Sequence, residues 1–275
     1  VQFRTHEAKH REAARNIACT GATPLGITDC LNFGNPDRPE VFFQFKEACR
    51  GIAEACRAFD TPVTGGNVSL YNESPTGAID PTPAVGMLGL LENIERRVPS
   101  AFRSTGDRII VLGATAGALG GSAYWAEVRG FIGGAPARVD LEAERALQRV
   151  LIGGAARGLI RSAHDCSTGG LAVALAEACI GGPYSTSGMG ATIDLTGYAG
   201  GVDDEGVLYG EDGARAVIKC GAGEEQALLT LARASGVPAY SDGRVGGSGG
   251  PLVITRGSRR AWETGAPGGR DFGAC

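Results

Sequence analysis

The 275-residue chain is poor in histidine and aromatic residues and has no long apolar run. It contains three histidines, and aromatic residues make up 6% of it, so a zinc site built from several histidines is not expected. No apolar run approaches the ~20 residues that a membrane-spanning helix needs. The N-terminal stretch VQFRTHEAKHREAARN is polar and charged, which is unlike a signal peptide. We therefore expect a cytoplasmic protein without a membrane partner.

An excess of either charge is also absent. The chain has 26 basic and 30 acidic residues, a net charge of −4, and both signs are mixed along it. No basic stripe is available for a nucleic acid, so none is expected as a partner. None of the eight cysteines lies in a CxxC pair, and we expect reduced, mostly structural thiols. The start at Val1 leaves open a processing boundary, a cloning boundary or a fragment of a longer chain.

Glycine, by contrast, is abundant. The chain has 45 glycines, many of them paired at the ends of apolar segments, and 43% of its residues are hydrophobic. This pattern is typical of an α/β chain with many turns and a packed core. The length accommodates one large domain or two ordinary ones.

The N-terminal segments predict an α+β layer. Apolar residues at a spacing of three and four over 40–59 predict an amphipathic helix, and another helix is expected over 7–19. Asp29 would directly follow the first strand, at a place where open α/β sheets commonly bind ligands. Strands are expected at 25–28, at 61–63 with a continuation at 68–71, and at 83–91.

A cluster of Pro, Ser, Thr and Gly at 98–106 indicates a domain boundary. The expected organisation is an N-terminal domain at 1–98, a second domain at 99–255 and a disordered tail at 256–275, where apolar periodicity is lost. In the second domain, strands are expected at 107–113, 163–166, 191–195, 214–220 and 252–255, and helices at 141–158, 171–180 and 224–235.

Two stretches carry small polar side chains beside glycine. TDCLNFGNP at 28–36 contains Asp29, and GGNVS at 65–69 contains Asn67. Two glycines before Asn67 let backbone N–H groups approach phosphate oxygens, and Asp29 and Asn67 offer the hard oxygens that Mg²⁺ prefers. The alternative is an ordinary tight turn between strands. We predict that both stretches are turns and that they converge on one magnesium–triphosphate.

A third stretch, HDCSTGG at 164–170, precedes a predicted helix. Its N–H groups could hold an anion at the helix N-terminus. Alternatively, Ser167 or Thr168 could cap the helix. His164 is a candidate catalytic base, although a single histidine before a turn is more often structural.

Six stretches together resemble one known family. They are TDCLNFGNP, PEVFFQFKEACRGIAEAC, PVTGGNVSLYNE, PTPAVGMLGLLENIERRV, SAHDCSTGGLAVALAEAC and LYGEDGARAVI. They look like the second half of the large subunit of phosphoribosylformylglycinamidine synthase, the PurL family, and the resemblance runs from about Ala13 to about Ile254. It implies an α+β fold, with a ferredoxin-like domain of the PurM N-terminal type followed by an α/β domain of the PurM C-terminal type.

The resemblance also implies an activity. The family is an ATP-dependent ligase of purine biosynthesis that converts formylglycinamide ribonucleotide and ammonia, taken from glutamine, to the amidine through an iminophosphate. Carried over by position, Asp29 and Gly66 would contact ATP. Asn67 would bind Mg²⁺, and Ser69 would contact the ribonucleotide. Weaker contacts to an anion or nucleotide are implied for Asp165, Gly169 and Gly170.

The chain departs from the family pattern at two turns. The family commonly has an aspartate where this chain has Thr168, and a Ser–Gln pair where it has Asp212 and Gly213. These changes weaken the case for a metal at the first turn and for substrate contact at the second. Glu211 and Arg215 are instead expected to pair where a strand begins. The family's catalytic histidine belongs to the other half, so no catalytic residue is assigned here.

The implied partners are the missing N-terminal half of the synthase, a glutaminase subunit or domain and a small accessory subunit. The isolated chain is expected to be inactive and able to form a homodimer through its N-terminal domain. One alternative is a non-catalytic half with a structural nucleotide that scaffolds the glutaminase. Another is a different ATP-dependent enzyme of the same fold, such as aminoimidazole ribonucleotide synthetase, selenophosphate synthetase or thiamine-phosphate kinase, against which GGNVSLYNE argues.

Overall fold

The structure of the protein is a computed structural model that describes residues 2–181, 188–257 and 259–263. Within these residues the strands form a three-stranded sheet, a seven-stranded sheet and a two-stranded ribbon. The α+β class predicted from the sequence is confirmed. No helix of the described ranges is long and apolar enough to cross a membrane.

The smaller sheet belongs to the N-terminal part of the chain, whose strands run in the order β2-β1-β5. Strand β1 pairs in parallel with β2 and antiparallel with β5. The elements are α1 (Gln2–Cys19), β1 (Thr23–Asn32), α2 (Pro39–Phe59), β2 (Val63–Ser69), β3 (Glu73–Ser74), β4 (Gly77–Ala78) and β5 (Ala84–Leu90). Strand β2 therefore forms one edge of this sheet.

Helix α2 forms where its apolar stripe predicted it. Proline at its start suits the first helical turn, where no N–H partner is lost. Asp60 ends the helix in a left-handed conformation, and its N–H donates to the carbonyl of Cys56. The helix packs on one face of the sheet, and the small core between them is formed by Ile27, Leu31, Phe33, Val41, Ala48 and Ile52.

The opposite face of the small sheet is open. Leu25, Leu88 and Leu90 on β1 and β5 are 47%, 71% and 53% exposed. Together with Thr28 and Gly86, Leu25 and Leu88 border a shallow apolar cavity of about 430 Å³. We call this surface the outer face of the sheet, and the surface covered by α2 the inner face.

The prediction that Asp29 and the GGN stretch lie in turns is wrong. Asp29 lies inside β1, which is longer than predicted because it pairs on both sides, and Gly65, Gly66 and Asn67 lie inside β2. Neither Gly65 nor Gly66 has a positive φ. These glycines are therefore extended residues. Glycine within a strand often leaves room for the close approach of a neighbouring group, and we interpret them in that way.

The larger sheet has the order β12-β11-β8-β10-β6-β9-β7. Its residues alternate between two cores: Ile109 and Val111 of β6 face α4, while Ile110 and Leu112 face α3 and α6. Its elements are β6 (Arg108–Leu112), α3 (Leu141–Ala156), β7 (Ser162–Asp165), α4 (Gly170–Ile180), β8 (Met189–Asp194), α5 (Asp204–Tyr209), β9 (Ala216–Cys220), α6 (Glu225–Ala234), β10 (Ala239–Ser248), β11 (Leu252–Arg256) and β12 (Arg259–Glu263). Both faces of this sheet are thus covered by helices.

Part of the expected disordered tail is a strand. Strand β12 pairs antiparallel with β11, and Trp262 lies opposite Ile254. Ala261 and Trp262 pack against the core on the α4 side, which explains why this segment is ordered despite its polar sequence. The rest of the expected tail, 264–275, lies outside the described residues. Helix α5 and a π-helical turn at Tyr124–Val128 were also not predicted.

Helix α1 connects the two parts of the chain. Ala18 and Cys19 at its end belong to the core that α3 and α6 form on the larger sheet. Arg15, only 2% exposed, reaches across to α3 and β7, where its guanidinium contacts Glu144 and Asp165. A buried ion pair therefore ties the N-terminal helix to the C-terminal domain. The domain boundary at 98 and 99 stays a prediction.

Candidate functional site

The two glycine-bearing stretches lie side by side, because β1 and β2 are neighbours. In the parallel register Thr28 lies opposite Gly65, and Asp29 lies opposite Gly66. Two residues later in each strand, Leu31 is paired with Val68. Their proximity agrees with the sequence prediction, although each stretch is a strand and not a turn.

The side chain of Asp29 lies on the inner face, against α2. A Cβ atom at position 66 would collide with the carboxylate and the carbonyl oxygen of Asp29. Glycine at 66 is thus required by the close approach of Asp29, whereas a Cβ at Gly65 would meet nothing within 4 Å. Among the described residues, no side chain or backbone group donates to the Asp29 carboxylate.

Asn67 lies on the outer face, because successive residues of a strand point to opposite faces. Its Nδ2 donates to Ser69 Oγ at 3.2 Å, and both side chains are accessible to solvent. Asp29 and Asn67 therefore cannot coordinate one ion directly. That the two stretches converge on one magnesium–triphosphate, with Asp29 on the nucleotide and Asn67 on the metal, stays a prediction.

The outer-face pair is compatible with magnesium bound through a ligand. The amide hydrogen bond to Ser69 leaves the carbonyl oxygen of Asn67 without a protein partner among the described residues. Mg²⁺ typically takes one or two protein oxygens and completes its shell with water and phosphate oxygens. No cluster of three or more acidic, His or Cys residues in the described ranges could hold a metal by itself. A bound ion would here depend on the phosphates that accompany it.

Asp29 opens into a groove between the sheet edge and α2, which we call the α2 groove. It has a volume of about 360 Å³ and is lined by Asp29, Leu31, Cys49, Ile52, Ala53, Cys56, Arg57 and Val63. Burial, together with the nearby Asp29 charge, raises the pKa of the Cys49 and Cys56 thiols. Both thiols are therefore protonated at neutral pH, and Asp29 is the acidic residue of this groove.

The sequence predicted an amphipathic helix over 40–59, whose apolar stripe includes Cys49 and Cys56, but not the groove. Their spacing of seven residues, two helical turns, was the available signal, since it places both on one helix face. What could not be inferred is that this face overhangs the sheet edge, where it lies beside Asp29 without being fully buried.

A second cleft, of about 210 Å³, lies between α1 and the loops of the C-terminal domain. Basic residues of α1 form one wall, and the HDCSTGG and GEDG stretches form the other. The backbone N–H of Gly169 donates to Glu211 Oε1 at 2.9 Å, and that of Gly170 donates to the Ser167 carbonyl at 3.0 Å. These donors of the α4 N-terminus are therefore already used within the protein, and the side chains of Ser167 and Thr168 do not cap the helix.

Asp212 likewise accepts hydrogen bonds from a neighbouring group of donors. Its Oδ2 accepts hydrogen bonds from the Thr115 hydroxyl and from the N–H groups of Gly117 at 3.1 Å and Ala118 at 3.3 Å. Glu211 also accepts from Ala123 N at 2.9 Å. The acidic pair of the GEDG stretch thus occupies amide groups that would otherwise be available to an external anion.

Asp165 takes part in the buried charge network of the second cleft. Its Oδ2 accepts from the Ser167 hydroxyl and lies 3.5 Å from Arg15 Nη2, while Arg15 Nη1 lies 2.6 Å from Glu144 Oε1. Arg11 adds a second cation 3.5 Å from Glu144. Burial alone would lower the pKa of Arg15, but Glu144 and Asp165 raise it above its ordinary value. Asp165 is therefore already paired with a buried cation.

The expected pair between Glu211 and Arg215 does not form. Arg215 is fully buried and donates to the Gly210 carbonyl oxygen, while Glu211 turns to the α4 N-terminus. Arg215 directly precedes β9 and lies against the turn at Cys166, whose N–H donates to the Arg215 carbonyl oxygen. His164 makes structural contacts, to the Asp165 carbonyl at 2.8 Å and to Glu177 at 3.2 Å.

Another histidine is buried near the site. His10 of α1 lies against Thr61, with Nε2 and Oγ1 2.8 Å apart, and packs beside Phe59 of α2. Burial lowers the pKa of His10 to about 4, so this side chain is neutral at physiological pH. It joins α1 to α2, and its Nδ1 lies 3.9 Å from Cys56 Sγ at the α2 groove.

Comparisons with known proteins identify the two parts of the chain. Residues 10–91 match the family described as AIR synthase related protein, N-terminal domain. Residues 104–255 match AIR synthase related protein, C-terminal domain. The second match alone spans more than half of the chain.

Curated relatives carry one common name. The chain is 50% identical over 240 residues to phosphoribosylformylglycinamidine synthase subunit PurL of Thermobifida fusca, covering 87% of this chain and 30% of that protein. It is 48% identical over 240 residues to the same subunit of Thermomicrobium roseum, covering 86% and 32%. The chain thus spans about a third of the length of the curated relatives that it matches.

Solved structures share the fold at low identity. The chain is similar to T. maritima PurL complexed with FGAR, at a TM-score of 0.78 and 19% identity, over 96% of this chain and 42% of that one. It is also similar to T. maritima PurL complexed with ATP, at a TM-score of 0.74 and 18% identity, over 96% of this chain and 40% of that one. The structure of PurLQS from Thermotoga maritima matches at a TM-score of 0.71 and 16% identity, over 97% of this chain and 42% of that one.

Proposed function

The chain belongs to the AIR synthase related protein family, and on that basis we propose that it is part of a phosphoribosylformylglycinamidine synthase. In this role it supplies nucleotide, magnesium and substrate contacts to an ATP-dependent ligase of purine biosynthesis. Support comes from the identity of 48–50% to subunits of that name. Support also comes from related structures complexed with ATP and with FGAR.

The observation that carries the proposal is the register of β1 and β2. It brings Asp29 opposite Gly66 and leaves the Asp29 carboxylate without a protein partner among the described residues. One residue further, Asn67 and Ser69 form a solvent-facing pair. The carboxylate can accept a hydrogen bond from a nucleoside, and the glycine backbone can approach a phosphate. The neutral amide oxygen can bind a metal.

The reaction proposed is a phosphoryl transfer followed by a substitution. The γ-phosphoryl group of ATP moves to the amide oxygen of formylglycinamide ribonucleotide, giving ADP and an iminophosphate. Ammonia from glutamine then adds to the carbon, and inorganic phosphate leaves with the former amide oxygen. Mg²⁺, when bound, would offset the charge of the phosphates.

The chain's own residues would bind and orient the reactants. Asp29 and Gly66 would contact the nucleotide, Asn67 would hold the metal and Ser69 would contact the ribonucleotide. The contacts proposed for Asp165, Gly169 and Gly170 are weaker candidates, because their polar groups already have partners inside the protein. No residue of this chain is proposed as the general base.

The site is proposed to be completed by other chains. The outer face of the sheet exposes leucines, and the chain spans about a third of its relatives, so the remainder of the synthase is the first partner expected there. A glutaminase and a small accessory subunit are further proposed partners, for which the T. maritima PurLQS assembly is the precedent. Without the remainder, the outer face could instead pair two copies of this chain.

The test is to assay amidine formation from formylglycinamide ribonucleotide, ATP and ammonia. The chain alone should give no turnover, and adding the remainder of the large subunit should restore it. Asn67→Ala should lower the restored rate strongly, with the exposed Asp80→Asn as control. Robust turnover by the isolated chain would refute the need for a partner. ADP retained through dialysis without hydrolysis would favour the alternative, a structural nucleotide in a scaffolding half.

A further inference from the structure

The two glycine-bearing stretches stay joined beyond the ends of β1 and β2. The N–H of Phe33 donates to the carbonyl oxygen of Ser69 at 3.0 Å, and the N–H of Asn72 donates to the carbonyl oxygen of Phe33 at 3.1 Å. The N–H of Tyr71 donates to the carbonyl oxygen of Gly34, also at 3.1 Å. Residues 70–73 are therefore bound to the loop after β1, although the proposed function assigns them no role.

The side chain of Asn72 turns back toward the end of β2. It is half-buried, and its Nδ2 donates to the carbonyl oxygen of Ser69 at 2.8 Å. Together with the bond from Phe33, this uses both lone pairs of that carbonyl oxygen. The Ser69 hydroxyl accepts from Asn67 Nδ2 at 3.2 Å. Ser69 is thus held both at its backbone and at its side chain.

Tyr71 turns the chain so that Asn72 can reach back to β2. Its φ is 59°, in the left-handed region that bulky residues rarely adopt. Such a conformation persists only where the surrounding contacts fix it. One of these contacts is the N–H bond of Tyr71 to Gly34, and another is the amide bond of Asn72 to Ser69. The amide of Asn72 therefore holds a strained turn in one geometry.

The β3–β4 ribbon, which follows this turn, packs directly on the loop after β1. A Cβ atom at Gly34 would lie 2.6 Å from the Cβ of Ala78, so the ribbon and the loop are in close contact. In addition, Glu73 Oε1 accepts from the N–H of Asn35 at 3.3 Å. Asn72 is thus placed between an anchored ribbon and the end of β2.

We propose that Asn72 is a positioning residue for Ser69. Its amide fixes the last residue of β2, so that the Ser69 hydroxyl is held on the outer face for the ribonucleotide. Because this hydroxyl accepts from Asn67, its own hydrogen is available to an oxygen acceptor of the ribonucleotide. Asn72 itself would contact neither substrate. This inference rests on the proposed function, since it explains how the contact proposed for Ser69 is oriented.

The test measures amidine formation by the full chain combined with the remainder of the large subunit, with ammonia as the nitrogen source. Asn72→Asp replaces the amide donor by a carboxylate of the same shape, which would face the Ser69 carbonyl oxygen. The KM for formylglycinamide ribonucleotide should rise roughly tenfold, whereas the KM for Mg-ATP should change less than about twofold. Asn93→Asp is the matched control, because Asn93 is exposed and its Oδ1 accepts from the N–H of Glu95, as an aspartate also can. It should change neither KM.

A double variant shows whether Asn72 acts through Ser69. Ser69→Ala should by itself raise the KM for the ribonucleotide roughly tenfold. Adding Asn72→Asp to Ser69→Ala should then raise this KM by less than about twofold more, because the hydroxyl that Asn72 positions is already gone. Additive effects, a rise of roughly a hundredfold in the double variant, would overturn the inference.

The split between the two KM values separates positioning from a merely structural role. An equal rise of both values would show that Asn72 only supports the domain, and unchanged values would show that it does not act on the site; either result refutes the inference. If Asn72→Asp does not fold by circular dichroism, Asn72→Ala removes the same donor without adding a charge and carries the same expectation. Absence of amidine formation by the combined wild-type chains would count against the proposed function and the inference with it, whereas wild-type turnover without the split would refute the inference alone.

Discussion

The two sheets of this protein use their polar side chains in opposite ways. In the small sheet, the Asp29 carboxylate and the Asn67 carbonyl oxygen have no protein partner among the described residues, and one whole face is open. In the C-terminal domain, Glu211 and Asp212 each accept several hydrogen bonds from nearby loops. The exposed groups without a partner lie at the proposed ligand site, whereas Glu211 and Asp212 stabilise the loops of the C-terminal domain.

The largest effect should come from the buried charges that join the two regions. Arg15→Met should lower the free energy of unfolding by about 3–5 kcal/mol, because it leaves Glu144 and Asp165 buried with less compensation. Arg145→Met is the matched control, since Arg145 is exposed and pairs with Glu142 at 3.7 Å, and it should cost about 0.5 kcal/mol or less. Urea unfolding measures both. Equal effects would mean that the ion pair does not couple the domains.

Acid should weaken the N-terminal region specifically through His10. The unfolded chain takes up this proton near its ordinary pKa of 6.5, whereas the folded chain does so only near a pKa of about 4. Between these values the unfolded state binds more protons, so stability falls as the pH falls. Between pH 7 and pH 5 the protein should lose about 2 kcal/mol that His10→Gln does not lose. Parallel pH profiles of the two proteins would contradict this.

The two neighbouring glycines of β2 should differ sharply. Gly66→Ala should cost about 1–3 kcal/mol and weaken nucleotide binding, because its Cβ collides with Asp29. Gly65→Ala is the control, and it should be neutral or slightly stabilising because its Cβ meets open space. Urea unfolding and Mg-ATP titration measure both properties. A destabilised Gly65→Ala protein with an unaffected Gly66→Ala protein would refute the orientation of Asp29.

The smallest effect on stability is expected at the open face. Leu88→Gln should change the free energy of unfolding by about 0.5 kcal/mol or less, since this side chain is 71% exposed. For comparison, Leu175→Ala, on the buried side of α4, should cost about 2–5 kcal/mol. If the face pairs copies of the chain, Leu88→Gln should also lower self-association in sedimentation. A large loss of stability in the monomer would show that the face is covered within the chain.

Much of the fold could be predicted because its elements carry strong periodic patterns. The stripe of α2 and the apolar runs of β5 and β6 are examples. The paired glycines at 65 and 66 led to the wrong prediction of a turn. Glycine and asparagine are common in turns, but glycine also occurs in strands where a neighbouring group approaches the backbone closely. Only the register of β1 against β2 decides between these, and register depends on contacts between distant segments.

The sequence named the residues of the candidate site but did not give their geometry. The resemblance named Asp29, Gly66, Asn67 and Ser69, and these residues do lie on adjacent strands. The opposite faces of Asp29 and Asn67 follow from the two-residue repeat of a strand, once the stretch is known to be extended. The internal use of Glu211 and Asp212 could not be foreseen, because their partners lie 42 and 95 residues away in the chain.

The most direct test of the account is calorimetric titration of Mg-ATP into the wild type, Asn67→Ala and Asp212→Asn. Each variant alters one polar side chain of a glycine-bearing motif, one in each region. The account predicts roughly tenfold or greater loss of affinity for Asn67→Ala and unchanged affinity for Asp212→Asn. Unchanged binding by Asn67→Ala together with lost binding by Asp212→Asn would place the nucleotide in the C-terminal cleft and contradict the account.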